Sequence, residues 1–149
     1  MIIYIGADHR GFKLKEILKN FLKNQGYEVS DFGNDHYDEN DDDVDFAKLV
    51  ATAVSKEPWV NKGILICGSG IEMDITANKF KGIRSALVTN PDQAYMSREH
   101  NNANILSLSA EFTDEEKAKQ ILKTWLNTDF SGEEKYKRRL DKISEIENL

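Results

Sequence analysis

A single cysteine, Cys67, closes a wholly apolar run and opens the loop Gly68-Ser69-Gly70, with Glu72 and Asp74 just behind it. In its thiolate form a cysteine is a base and a nucleophile. Backbone N–H groups clustered where a glycine-rich loop enters a helix stabilise an anion or a developing oxyanion. The positive end of that helix lowers a thiol's pKa, so the placement predicts a usable thiolate near neutrality. A lone buried cysteine is also an ordinary small hydrophobe, and the loop alone does not separate packing from chemistry. Two further clusters add weight. "GADHRGF" (6–12) sets Asp8 and His9, both acid–base types, directly after an apolar run. "SREHNNAN" (97–104) sets His100 at the expected end of a helix, followed by Asn101, Asn102 and Asn104. A helix C-terminus there favours imidazolium. Acid, base and anion-hole parts at three strand edges suit proton transfer next to a carbonyl.

Metal chemistry is served less well. An EF-hand loop starting at Asp38 needs Gly at 43 and Glu at 49, where the chain has Asp43 and Leu49. Starting at Asp41 fails too, with Phe46 and Thr52 at those positions. The acidic stretch 34–45 reads as a solvated loop in which Asp42 or Asp43 caps the next helix. His9, His36 and His100 lack metal-ligand spacing. No metal and no cofactor is expected.

The elements that must position these residues alternate along the chain. Strand-like runs fall at 2–5, 27–32, 64–67, 83–88 and 105–109. Between 11 and 25, Leu14, Ile17, Leu18, Phe21 and Leu22 recur at helical spacing, and Gly26 is a natural stop. Further helical segments fall at 44–55, 71–80, 91–101, 113–127 and 133–148. Strands separated by helices mean right-handed βαβ units. The expected fold is therefore a three-layer α/β/α sandwich with a five-stranded parallel sheet. Ligands bind such sheets beyond the carboxyl ends of the strands, which points to the loops starting at Gly6, Cys67, Thr89 and Ser109.

With 149 residues and no linker, one domain over 1–149 is expected. A net charge of −6 argues against nucleic acid as a partner. One cysteine permits no internal disulfide and suits a reducing cytoplasm. The N-terminal apolar run is short and lacks a basic flank, so neither a signal peptide nor a membrane span is read.

"GADHRGFKLK", "GYEVSDFG", "GILICGSGIEMDITANKFKGIRSALV", "SREHNNANIL" and "RRLDKI" together resemble the ribose-5-phosphate isomerase B family, which also holds the galactose-6-phosphate isomerase subunits. The likeness runs over nearly the whole chain. It implies a flavodoxin-like or Rossmann-like fold and a homodimer or dimer of dimers with sites at the interface. It also implies cofactor-free interconversion of an aldose phosphate and its ketose. By position, Cys67 would move the proton between C1 and C2 of the open sugar. Some members use a glutamate placed where this chain has Met73. Ser69, with the amides around Gly68 and Gly70, would hold the enediolate oxygens. His100 would open the furanose ring with help from Asp8. His9 would lie near the phosphate, Asn101 would hold the sugar, and Lys135, Arg138 and Arg139 would reach over a neighbour's site.

Departures from the family pattern bear on the substrate. Glu111 stands where the family has a phosphate-binding arginine, as it does in one galactose-6-phosphate isomerase subunit type. Asp43 replaces a tyrosine near the sugar, Val44 a proline, and Glu72 a glycine. Lys135 replaces an arginine and Tyr136 a histidine. Arg10, beside His9, is a candidate for the charge lost at 111. Ribose 5-phosphate is the expected substrate. The alternatives are a six-carbon sugar phosphate, one subunit of a heteromer, or a non-catalytic sugar-phosphate-binding paralogue.

Overall fold

Strands and helices alternate in the computed structural model, which describes residues 1–149, until two helices in succession end the chain. The strands are β1 (Ile2–Ala7), β2 (Glu28–Asp31), β3 (Lys62–Cys67), β4 (Ser85–Leu87) and β5 (Ile105–Ser109). The helices are α1 (Phe12–Asn24), α2 (Asp43–Ser55), α3 (Ile71–Ala77), α4 (Pro91–Glu99), α5 (Glu115–Leu126) and α6 (Glu134–Ile146). All strand pairs are parallel, in the order β2-β1-β3-β5-β4. This is the three-layer α/β/α sandwich that the alternation predicts.

Side chains of a strand alternate between its faces, and the two cores follow from that. Ile64 and Ile66 pack with Leu14, Leu18 and Leu22 of α1 and with Ile121 and Trp125 of α5. Leu65 and Cys67 point the other way, onto Ala47, Val50 and Val54 of α2 and Met73 and Ala77 of α3. Each such buried aliphatic side chain contributes roughly 1.5–3 kcal/mol. Helix α2 lies close against β3 because Gly63 has no side chain there. A Cβ on it would stand 2.8 Å from Val50 Cγ1. Helix α3 stops earlier than its apolar pattern suggests. Asn78 donates to the carbonyls of Asp74 and Ser85 and accepts the Ser85 N–H, turning the chain into β4.

Strand order reverses between β1 and β3, which opens a crevice at their carboxyl ends. The loop after β2 is fastened toward that crevice from below. Lys15, fully buried, donates to Asp31 at 2.8 and 3.0 Å and to the Asn34 carbonyl at 2.6 Å. A buried ammonium is tolerated because it is paired on every side. Burial alone would raise the Asp31 carboxyl, but Lys15 and Lys19 hold it below the ordinary carboxylate value.

Candidate active site

Asp8 and His9 leave the carboxyl end of β1. Buried Asp8 accepts the Gly11 N–H at 3.0 Å and so fixes the turn into α1. Burial raises its carboxyl above the ordinary value, opposed by the Gly11 N–H and His9 and reinforced by Asp43 and Asp41. A carboxyl shifted this way is better suited to giving up a proton near neutrality. His9 Nδ1 lies 2.8 Å from Asp41 Oδ1, and the His9 backbone N–H donates to the same oxygen at 2.9 Å. The other Asp41 oxygen accepts from Asn34 at 2.9 Å. With Nδ1–H on the carboxylate, His9 keeps Nε2 for a ligand.

The acidic loop is largely exposed, as the sequence suggests, but part of it is tied to the crevice. Asp41 turns inward onto His9, and the Lys15 contact with Asn34 holds the loop in place. Asp42 is the N-cap of α2 but makes no capping bond, and Asp43 faces the Cys67 thiol instead. Ligand atoms of Asp8, His9 and Asp41 lie within 4.8 Å of one another, a grouping their spacing along the chain does not reveal. Each is already hydrogen-bonded inside the protein.

Cys67 is 3% exposed, and its Sγ accepts the Gly70 N–H at 3.2 Å. The expected lowering of its pKa does not occur. Burial raises the thiol from 9.0 to about 11; the Gly70 and Met73 amides oppose the shift and Asp43 adds to it. Lost hydration and the facing Asp43 carboxylate outweigh the amides at the start of α3. Gly70, at φ +78°, turns its amide onto the sulfur, so that amide is not open to a substrate oxygen as expected. Ser69 Oγ accepts the Ile71 N–H at 3.2 Å. The Gly68 and Ser69 N–H groups remain as the loop's uncommitted donors. Below them the Gly68 carbonyl accepts from Ser109 Oγ at 2.6 Å and from the Glu111 N–H at 3.0 Å. Arg10 Nη1 meets Glu111 Oε1 at 2.9 Å above the same loop.

His100 lies elsewhere. Helix α4 returns from the carboxyl end of β4 to the start of β5, so its C-cap, His100, falls on the amino edge of the sheet. Asn104 confirms the placement by donating to the carbonyls of Pro58 and Gly82, which lead into β3 and β4. One chain therefore does not bring His100 and Asn101 to the Asp8–Cys67 edge, contrary to the reading of three clusters as one site. A parallel sheet sends its strand exits to one edge and its entrances to the other.

At the amino edge His100 Nε2 lies 2.7 Å from Glu99, and its ring stacks on Tyr136 at 4.5 Å and 20°. Lys135 Nζ and Arg139 Cζ lie 4.8 and 5.9 Å from the Tyr136 ring. Lys135 also pairs with Glu133 at 3.5 Å, and Arg138 is exposed beside it. Asn101 lines a cleft of about 380 Å³ together with Arg84 and Leu140. Along the chain nothing but their acidity marks Asp41 or Glu99.

A parallel α/β sheet carrying hydrogen-bonded carboxylates, a histidine and a thiol at its switch point defines the class: a small α/β protein whose candidate site lies beyond the carboxyl ends of its strands. The family model described as Ribose/Galactose Isomerase matches residues 3–143. A solved ribose-5-phosphate isomerase B from Clostridium thermocellum superposes with TM-score 0.94 at 47% identity, covering 99% of this chain and 98% of that one. The same enzyme from Mycoplasma genitalium, with bound ribulose-5-phosphate, gives TM-score 0.96 at 41% identity over 99% and 96%. A galactose-6-phosphate isomerase subunit of Lactococcus lactis is 37% identical over 146 residues, 98% of this chain and 99% of that one. The chain belongs to the ribose/galactose isomerase family, and it is an isomerase.

Proposed function

We propose that this chain interconverts ribose 5-phosphate and ribulose 5-phosphate without a cofactor, in sites each shared by two copies. One observation carries the reading. A relative 41% identical over almost the whole chain holds ribulose-5-phosphate, and Asp8, Cys67, Ser69 and His100 all stand here at the matching motifs. In the reaction His100 of one copy, with Asp8 of the other, moves protons between the ring oxygen and the 1-hydroxyl to open the furanose. The Cys67 thiolate then takes the proton from C2 of the aldose and returns it at C1, while the O2 hydroxyl proton passes to O1. The enediolate oxygens sit against the Ser69 hydroxyl and the Gly68 and Ser69 amides. His9 and Arg10 face the phosphate from the Cys67 side. Lys135, Arg138 and Arg139 face it from the partner, and Asn101 holds the sugar.

Geometry supports sharing between copies. Neither edge alone supplies both the thiol and the ring-opening histidine, which stand at opposite ends of the sheet. A dimer, or a dimer of dimers, is the assembly that serves two such sites. A reducing cytoplasm fits a mechanism that needs a free thiol. Glu111 favours a second reading, in which the chain takes a six-carbon sugar phosphate or pairs with a different subunit. The identity to a galactose-6-phosphate isomerase subunit supports it.

Subunit complementation tests the shared site. Cys67→Ala and His100→Asn should each abolish turnover of ribose 5-phosphate alone. Refolded together, they should regain about a quarter of wild-type activity, because half the dimers are mixed and each mixed dimer has one intact site. A mixture as dead as its components would overturn the sharing. A wild type inactive on ribose 5-phosphate but active on a hexose phosphate would favour the second reading.

A further inference from the structure

Arg10 and Glu111 leave different strands, β1 and β5, and meet above the first residue of the thiol loop. A Cβ on Gly68 would stand 2.9 Å from Arg10 Cδ, 3.3 Å from Arg10 Nη1 and 3.1 Å from Glu111 Oε1. The bridge therefore fills space that only a glycine leaves. Its side chains are 62% and 48% exposed, and an ion pair so wet adds little to stability. Position explains it better. Glu111 is pinned, since its own N–H donates to the Gly68 carbonyl at 3.0 Å. Its carboxylate takes one of the five N–H groups of the guanidinium, and the others stay open to solvent. Arg10 also lines, with Lys13, an open cleft of about 280 Å³ on the same rim. Inside that rim stand the carboxylates of Asp8, Asp41 and Asp43, an environment that an anion would otherwise avoid.

We infer that Glu111 is a positioning residue, which holds the Arg10 guanidinium across Gly68 so that its remaining N–H groups receive the substrate's phosphate. The inference rests on the sugar-phosphate reading above. The carboxylate takes Nη1 and leaves the other N–H groups of the fork for a ligand. Released from Glu111, the exposed arginine would recover its rotamers and lose them again on each binding event.

Calorimetric titration with inorganic phosphate, beside steady-state kinetics on ribose 5-phosphate, tests this in wild type, Arg10→Ala, Glu111→Gln and the double variant. Arg10→Ala should raise the phosphate Kd roughly ten- to a hundredfold, the scale of a charge-assisted contact. Glu111→Gln should raise it roughly three- to tenfold, with the loss on KM rather than kcat. Added to Arg10→Ala, Glu111→Gln should change nothing, since both act through one guanidinium. Tighter phosphate binding by Glu111→Gln overturns the inference, because the carboxylate would then be merely repulsive. Equal weakening in both backgrounds overturns it as well. A wild type that shows this coupling yet leaves ribose 5-phosphate unturned keeps the inference and removes the substrate. Turnover with phosphate affinity indifferent to Arg10→Ala does the reverse.

Discussion

Titrating the Cys67 thiol puts the most pressure on the proposed chemistry. With its pKa at about 11, about one free enzyme in 10,000 carries the thiolate at pH 7, a hundredfold fewer than at the ordinary 9.0. Access to a residue 3% exposed scales every alkylation rate alike, so the shape of the pH profile is the informative quantity. Iodoacetamide should react tenfold faster per pH unit from 7 to about 10 and level off only near 11. Mass spectrometry of the intact chain, which has one cysteine, reads the modified fraction directly. Asp43→Asn removes the facing carboxylate and should move the midpoint down by about one unit, worth about 1.4 kcal/mol. The kcat/KM of ribose 5-phosphate should rise with pH over the same range, because it reports the free enzyme. An alkylation plateau near pH 8 would refute the reasoning and show that the Gly70 and Met73 amides outweigh burial.

Other outcomes are open to direct measurement. Burial, with Arg98 nearby, lowers the Lys62 ammonium from 10.5 to about 8, with its Nζ 5.7 Å from the Trp125 ring. A base depressed on folding binds fewer protons in the native state, so stability should rise from pH 8 to 10.5. Lys62→Met should remove that rise and, by sparing up to about 3 kcal/mol at pH 7, raise Tm by several degrees in a thermal melt. Tyr136→Ala should lower turnover of cyclic substrate about tenfold by freeing His100, while Tyr136→Phe, which keeps the stack, should not; an acyclic analogue should feel neither change. Arg139→Ala should raise KM for the phosphosugar roughly ten- to a hundredfold with little effect on the melting curve.

The fold was legible because its signals are local. The apolar run at 64–67 and the spacing of Leu14, Leu18 and Leu22 say strand and helix without tertiary help, and Gly26 marks its helix end with φ +88°. Asp8, His9, Cys67 and Ser69 come to one edge because β1 and β3 are neighbours, which the run of strand ends along the chain already suggests. What the residues could not say is long-range. Asp41 reaches His9 across 32 positions, held by a lysine that reads as an ordinary surface charge until it is found fully buried. The direction of the Cys67 shift also depended on burial, which a helix-terminus argument leaves out. The edge to which His100 belongs follows only once the strand directions are laid side by side.

That last feature bears on how such a protein diverges. When sites are shared, every pair of chains owns two thiol edges and two histidine edges, yet one working site needs only one of each. After gene duplication, one copy can lose its thiol and the other its histidine without silencing the pair. Selection then watches one edge per gene, and the released edge is free to remodel its contacts. Obligate partnership becomes a ratchet, because neither copy alone can restore a complete site. An architecture that sets its thiol and its histidine at opposite ends of a sheet would, with shared sites, carry within it the means of becoming two proteins.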